Sequence, residues 1–193
     1  MKNSYKNAPP FVQEIVDHII DVEGGYVDNM DDSGGATKYG VTEKVARANG
    51  YKGHMSELPI TFAQDLYVTE YYFTPKFNLV AEVSETLAKE MMDSGVNVGY
   101  RNPIKWLQFL LNVSNCKQKY YKDIEVDGYL GSKSIGAYTA LCKRRGELEA
   151  ERYIFNGLNS FQQVYYVELA ERREKDETFV YGQIVNRVEY LPF

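Results

Sequence analysis

Residues 10–23 constrain the chain more than any other stretch. Phe11, Val12, Ile15, Val16, Ile19 and Ile20 recur at helical spacing and give one apolar stripe running through Val22. Pro9-Pro10 suits a helix start, where the missing N–H of proline costs nothing. Gly24-Gly25 then ends the helix and leaves Glu23 in its last turn. The partial negative charge of a helix C-terminus disfavours a carboxylate there. Ionising Glu23 is therefore made harder, which is the direction a general acid needs.

The loop that follows, Tyr26-Val27-Asp28-Asn29-Met30-Asp31-Asp32-Ser33-Gly34-Gly35-Ala36-Thr37-Lys38-Tyr39-Gly40-Val41, reads as a loop or short hairpin. Its glycines allow tight reversals and close approach to a ligand. Glycosidic cleavage needs an acid for the leaving oxygen and a second group that activates water or attacks from the other face. If the loop folds back over the helix end, Asp32 faces Glu23 across a cleft with Thr37 beside it. Asp32 would then deprotonate a water that the Thr37 hydroxyl orients, an inverting geometry with carboxyl groups roughly 6.5–9.5 Å apart. Asp28 and Asp31 compete with Asp32 for that role. The competing reading is a solvated helix end and a surface turn, or a calcium loop, although no glutamate closes it in EF-hand register.

The rest of the chain is punctuated by helix signals. Thr42 caps a short helix through Ala48 that stops at Asn49-Gly50. Thr61-Phe62-Ala63-Gln64 has capping-box form and opens a helix to about Phe73. Ser84 caps a helix carrying Leu87, Met91 and Met92, ending near Gly95 or Gly99. Asn102-Pro103 starts another with Trp106, Leu107, Leu110 and Leu111. Residues 115–125 form a lysine- and tyrosine-rich connection, and Asp127-Gly128 is a turn signal. Ser132 caps a helix to about Arg144, two further helices cover 147–155 and 160–173, and a short one spans 178–188. The expected fold is mainly α.

Composition narrows the function classes. Net charge is −5, with no basic field to draw the chain to nucleic acid or an anionic membrane. No run reaches transmembrane length, and residues 1–10 lack a signal-peptide core. With two cysteines, Cys116 and Cys142, and two histidines, His18 and His54, no zinc spacing exists, so no metal or other cofactor is expected. Both cysteines are read as buried or half-buried thiols, and His18 and Trp106 as structural. The 17 tyrosines suit a carbohydrate groove and half-buried helix faces alike.

The segment Glu23-Gly24-Gly25-Tyr26 … Asp32-Ser33-Gly34-Gly35-Ala36-Thr37-Lys38-Tyr39-Gly40-Val41-Thr42 resembles the signature of the glycoside hydrolase family 108 muramidases, some of them named secretion activators. Trp106-Leu107-Gln108, Val126-Asp127-Gly128-Tyr129-Leu130-Gly131 and Asn186-Arg187-Val188 resemble the predicted peptidoglycan-binding module that accompanies them. The resemblance implies a lysozyme-like helical fold with a short loop or hairpin after the catalytic helix. It places a catalytic region at 9–100 and a peptidoglycan-binding helical region at 101–191, packed as one compact unit.

The implied activity is hydrolysis of the β-1,4 bond between N-acetylmuramic acid and N-acetylglucosamine, with Glu23 as the family's glutamate. Asp32 and Thr37 follow from a more distant similarity to phage lysozymes, in which the threonine spacing differs by one residue. Tyr26 and Tyr39 are implied as sugar-stacking or glutamate-orienting rings, with buried packing the other reading for each. Asp93 and Asn97, one helical turn apart, are either a cleft wall binding an acetamido group or an internal tie. Tyr129 is the side chain to test in a segment otherwise read as a turn.

The partner is the peptidoglycan glycan strand, met by a monomer without nucleic-acid binding or membrane insertion. Synthesis in the cytoplasm without a signal peptide implies a holin-type or other non-classical export, as for an endolysin. A lytic transglycosylase, or a non-catalytic wall-binding or secretion-accessory protein, would carry the same motifs.

Overall fold

The computed structural model describes residues 4–27 and 35–192, with Glu23 by its backbone alone. The fold is mainly α, with one small antiparallel sheet. It divides into two compact units, Met1–Thr74 and Pro75–Phe193.

In the first unit, α1 (Pro10–Glu23) buries Phe11, Val12, Val16 and Ile20. It packs on α3 (Ile60–Val68), which offers Ala63, Leu66 and Tyr67. Phe11 meets Tyr72 edge-on at 5.9 Å between ring centroids. Tyr5 locks the entry to α1. Its hydroxyl donates to the Asp17 carboxylate at 2.6 Å and its backbone N–H to Asp65 at 2.9 Å. Between the two helices lie three two-residue strands, β1 (Tyr26–Val27), β2 (Thr37–Lys38) and β3 (Val41–Thr42), in the order β1-β2-β3. Next comes α2 (Glu43–Ala48), capped by the Thr42 hydroxyl as the sequence predicts and closed at Asn49.

The Thr61 capping box does not form. Pro59 takes the N-cap position with β-region dihedrals, so α3 starts at Ile60 with Thr61 already inside its first turn. The helix also does not continue unchanged to Phe73: a π-type turn spans Thr69–Phe73, closed by the Thr74 N–H on the Thr69 carbonyl.

The second unit is built on α8 (Glu147–Arg172), about 39 Å long at 1.5 Å per residue. Around it stand α5 (Glu85–Val98), α6 (Arg101–Ser114), α7 (Ser132–Arg145) and α9 (Glu177–Arg187). The core between them holds Leu87, Met91, Met92, Ile104, Leu107, Leu111, Ile154 and Leu158. A short α4 (Phe77–Ala81), which periodicity did not predict, packs on α5. Ser84 caps α5 as expected and also donates to Glu151 on α8 at 2.6 Å.

Two expectations are corrected here. The helices predicted at 147–155 and 160–173 are one, because Gly157 is a packing site and not a break. A Cβ there would lie 2.6 Å from a Leu110 methyl, so the bare Cα lets α6 close on α8. Ser132 is the first residue of α7 and not its cap, since extended Gly131 occupies the N-cap position.

The 115–125 connection begins with three consecutive left-handed residues, Cys116, Lys117 and Gln118, at φ +58°, +56° and +62°. Buried Asn115 stabilises this turn by accepting from the Gln118 N–H at 2.8 Å and donating to Asp123. The turn leaves Cys116 exposed, contrary to its reading as a covered thiol, whereas Cys142 is half-buried. His18 is exposed on α1.

Candidate active site

Glu23 is the last residue of α1, where the apolar stripe and Gly24-Gly25 place it. The chain turns directly into β1, and β2 returns beside it with Tyr26 opposite Lys38 and Val27 opposite Thr37. Thr37 thus stands across a strand pair that begins three residues after Glu23. It also pairs with Thr42 on its other side, so the middle strand of the sheet fixes its backbone. Asp32 and its competitors Asp28 and Asp31 lie outside the described residues, in the stretch between β1 and β2.

β2 and β3 are joined by Tyr39-Gly40, both left-handed at φ +54° and +71°. This is the two-residue hairpin turn whose twist matches that of the strands. Gly40 adopts that conformation freely, whereas for Tyr39 it is strained. Its neighbours hold Tyr39 in place: the Tyr67 hydroxyl donates to the Tyr39 carbonyl at 2.9 Å, and the Lys38 ammonium lies 5.0 Å from the ring centroid. Lys38 in turn donates to the Ser56 carbonyl at 2.6 Å, tying β2 to the 3-10 turn Met55–Glu57.

Tyr26 is partly exposed, and its ring tilts at 44° toward His54, 6.4 Å away. His54 is a neighbour the sequence did not reveal, since nothing in 28 residues of separation marks the pair. Its ring nitrogen Nδ1 meets the Ser56 hydroxyl at 2.8 Å, and Tyr51 donates to its carbonyl at 3.0 Å. The helix end, Tyr26, Thr37, Tyr39 and His54 therefore belong to one unit. Among the described residues no group of three or more His, Cys, Asp or Glu is placed to hold a metal ion.

Asp93 and Asn97 lie on α5, in the second unit. The Asp93 carboxylate pairs with Arg187 of α9 at 3.2 Å, and the Asn97 amide donates to the Asp93 carbonyl at 2.8 Å. One turn earlier lies Glu90, a buried carboxyl that accepts from Ser94 at 3.1 Å. Burial pushes it up to about 7 against the pull of its Ser94 and Asn159 hydrogen bonds, with Asp93 and Glu189 adding repulsion. Sequence reasoning passed over Glu90, although it sits three residues after Leu87 and four before Ser94, on the buried stripe.

The two motifs singled out in the second half meet through Gln108. Its amide donates to the Asp127 carboxylate at 2.9 Å and the Tyr129 carbonyl at 3.0 Å, and its oxygen accepts from the Gly128 N–H at 3.0 Å. The Gln108 bond, and after it the Tyr129 backbone N–H donating to the same carboxylate at 2.9 Å, hold Asp127 below the usual carboxylate range. The segment is a latched turn with Gly128 at φ +74°. Tyr129 is left exposed under the Arg101 guanidinium, 4.7 Å from its ring centroid.

Residues 16–99 match the glycosyl hydrolase 108 family, and residues 102–188 match a predicted peptidoglycan domain. The chain thus carries a glycosyl hydrolase 108 domain followed by a predicted peptidoglycan domain. The glycosyl hydrolase 108 match covers the Glu23 helix end and the whole sheet, and it runs on through α5. Together the two domains make peptidoglycan the material on which the chain acts, as a glycoside hydrolase. No curated protein matches it by sequence. Among solved structures it is similar to Brucella abortus SagA, at 20% identity and a TM-score of 0.55 over 94% of this chain and 98% of that one. At that identity the likeness is one of fold. No helix among the described residues is long and apolar enough to cross a membrane.

Proposed function

We propose that the chain is a muramidase that hydrolyses the β-1,4 bond between N-acetylmuramic acid and N-acetylglucosamine. Glu23 is the general acid that protonates the leaving oxygen. Asp32 activates the attacking water on the opposite face, and the Thr37 hydroxyl orients that water. Tyr26 and Tyr39 contact the sugar, and Asp93 and Asn97 contribute an acetamido-binding wall. The observation that carries the reading is the register of the first unit, in which β2 returns to set Thr37 opposite Val27 just beyond the Glu23 helix end.

Asp93 serves two readings at once, because an ion pair with Arg187 that leaves both groups part-exposed is also an internal tie. The protein acts at the cell wall as a monomer, after holin-type or other non-classical export. An endolysin and a secretion activator would use the same chemistry.

The test is release of reducing ends from purified peptidoglycan. Wild type should release them, and Glu23→Gln should lower the rate by about 10²–10⁴-fold, the usual contribution of a general acid. An unchanged melting temperature would exclude a folding defect. Equal rates in the two proteins would overturn the assignment.

A further inference from the structure

His54 is exposed, yet the turn that carries it is held from several sides. Met55 and Leu58 anchor the turn in the core of the first unit. The Lys38 ammonium reaches from β2 to the Ser56 carbonyl at 2.6 Å. The Arg47 guanidinium reaches from α2 to the Tyr51 and Gly53 carbonyls at 3.0 and 2.7 Å. The Tyr51 hydroxyl and the Glu57 N–H both donate to the His54 carbonyl, at 3.0 and 2.9 Å. An imidazole on so fixed a backbone presents its outer edge in one direction.

Hydrogen bonding also decides which ring nitrogen carries the proton. Nδ1 accepts from the Ser56 backbone N–H at 3.3 Å, and because that group can only donate, Nδ1 is the bare nitrogen. In the neutral ring the hydrogen is then on Nε2. Nε2 has no hydrogen-bond partner among the described residues. Accepting from the N–H two residues on is the ordinary work of Asn or Asp. Histidine does the same here and adds a second polar atom, on the far side of a flat ring, that capping does not use.

The ring beside it is Tyr26, 6.4 Å away between centroids and 39% exposed. Tyr26 lies three residues beyond Glu23 and pairs in the sheet with Lys38, the residue that also holds the His54 turn. A hydrogen-bond donor thus stands next to an exposed aromatic face, close in the chain to the proposed acid. A saccharide matches both, with an apolar face for the ring and accepting oxygens around its rim.

We propose that His54 is a glycan-binding residue of the cleavage site, with its Nε2–H donating to a hydroxyl or acetamido oxygen of the saccharide that lies against Tyr26. The inference rests on the muramidase reading and adds to that site a residue from outside the signature loop. A contact to the rim of the sugar is made alike in the ground state and the transition state, so its loss falls on KM and spares kcat.

The experiment is steady-state release of reducing ends from soluble, uncross-linked glycan strands by the full chain and two variants. His54→Asn keeps an oxygen for the Ser56 N–H and removes the outer donor. It should raise KM about three- to tenfold, the usual worth of one hydrogen bond, with kcat and melting temperature unchanged. His54→Gln restores an outer amide N–H but not the cap, and should return KM toward the wild-type value while lowering the melting temperature. If wild type releases no reducing ends, the muramidase reading fails and this inference falls with it. If wild type cleaves and His54→Asn keeps the wild-type KM, only the assignment of His54 is overturned. A KM that rises only in the variant with the lowered melting temperature would also overturn it, because the histidine would then serve the turn alone.

Discussion

At the residue scale, two glutamates show what a sequence reveals and what it hides. Glu23 was legible because a helix stripe ends on it and two glycines follow. Glu90 was not, because α5 was read on Leu87, Met91 and Met92 alone, and a charged residue on a buried stripe looks like an interruption until its partners are known. Ser94 and Asn159 supply those partners, the second from another helix and 69 residues further along the chain. The consequence is a pH dependence of stability. Glu90 titrates near 7 in the folded protein against an ordinary value of 4.5, so the folded state holds the proton over a window in which the unfolded chain has released it. Its stabilising contribution is complete below about 4.5 and is lost as pH rises through about 7. Glu90→Gln should remove that slope, gaining on wild type by up to about 3 kcal/mol between pH 4.5 and 8 in urea denaturation. A wild type–variant difference that stays constant over the range would contradict it.

At the scale of elements, the caps and the glycines explain both the agreements and the misses. Thr42 and Ser84 cap α2 and α5 because each precedes its helix in an extended conformation and its hydroxyl accepts a first-turn backbone N–H. Thr61 and Ser132 look the same in sequence, but Pro59 and Gly131 set the boundary first. Gly157 lies between the two helices expected at 147–155 and 160–173, and one helix-interior glycine costs about 1 kcal/mol against alanine. The structure shows what that cost secures, the approach of Leu110. Gly157→Ala should therefore destabilise by about 1–2 kcal/mol despite the better helix propensity, measured as a fall in melting temperature. A rise would mean that α6 and α8 do not need the contact.

Gln108 makes a similar point about the latched turn. It joins two stretches that sequence could only mark separately, Trp106-Leu107-Gln108 and Asp127-Gly128-Tyr129. Gln108→Leu would leave the Gly128 N–H and the Asp127 carboxylate without that partner, at a cost of at least about 2 kcal/mol. A loss within a few tenths of a kcal/mol would show that water replaces the latch.

For the whole molecule, the fold class and the order of most helices were legible, because periodicity and capping are local properties. The partition was less so. The region expected as catalytic, 9–100, and the glycosyl hydrolase 108 match, which ends at 99, both take in α4 and α5, yet these two helices fall in the second compact unit with α6–α9. Packing of this kind depends on contacts far apart in sequence, such as Ser84 with Glu151 and Asp93 with Arg187. The candidate site was legible in part for the same reason. The Glu23 helix end and the return of Thr37 follow from local signals, whereas His54 beside Tyr26 and Tyr67 beneath Tyr39 follow from tertiary placement.

The central claim is hydrolysis with Glu23 as acid and Asp32 as water-activating base. Mass spectrometry of the muropeptides released by wild type, Glu23→Gln and Asp32→Asn tests it most directly. The account predicts products ending in reducing N-acetylmuramic acid from wild type, and almost none from either folded variant. Anhydro-muramic ends with activity surviving Asp32→Asn would contradict it and make the chain a lytic transglycosylase.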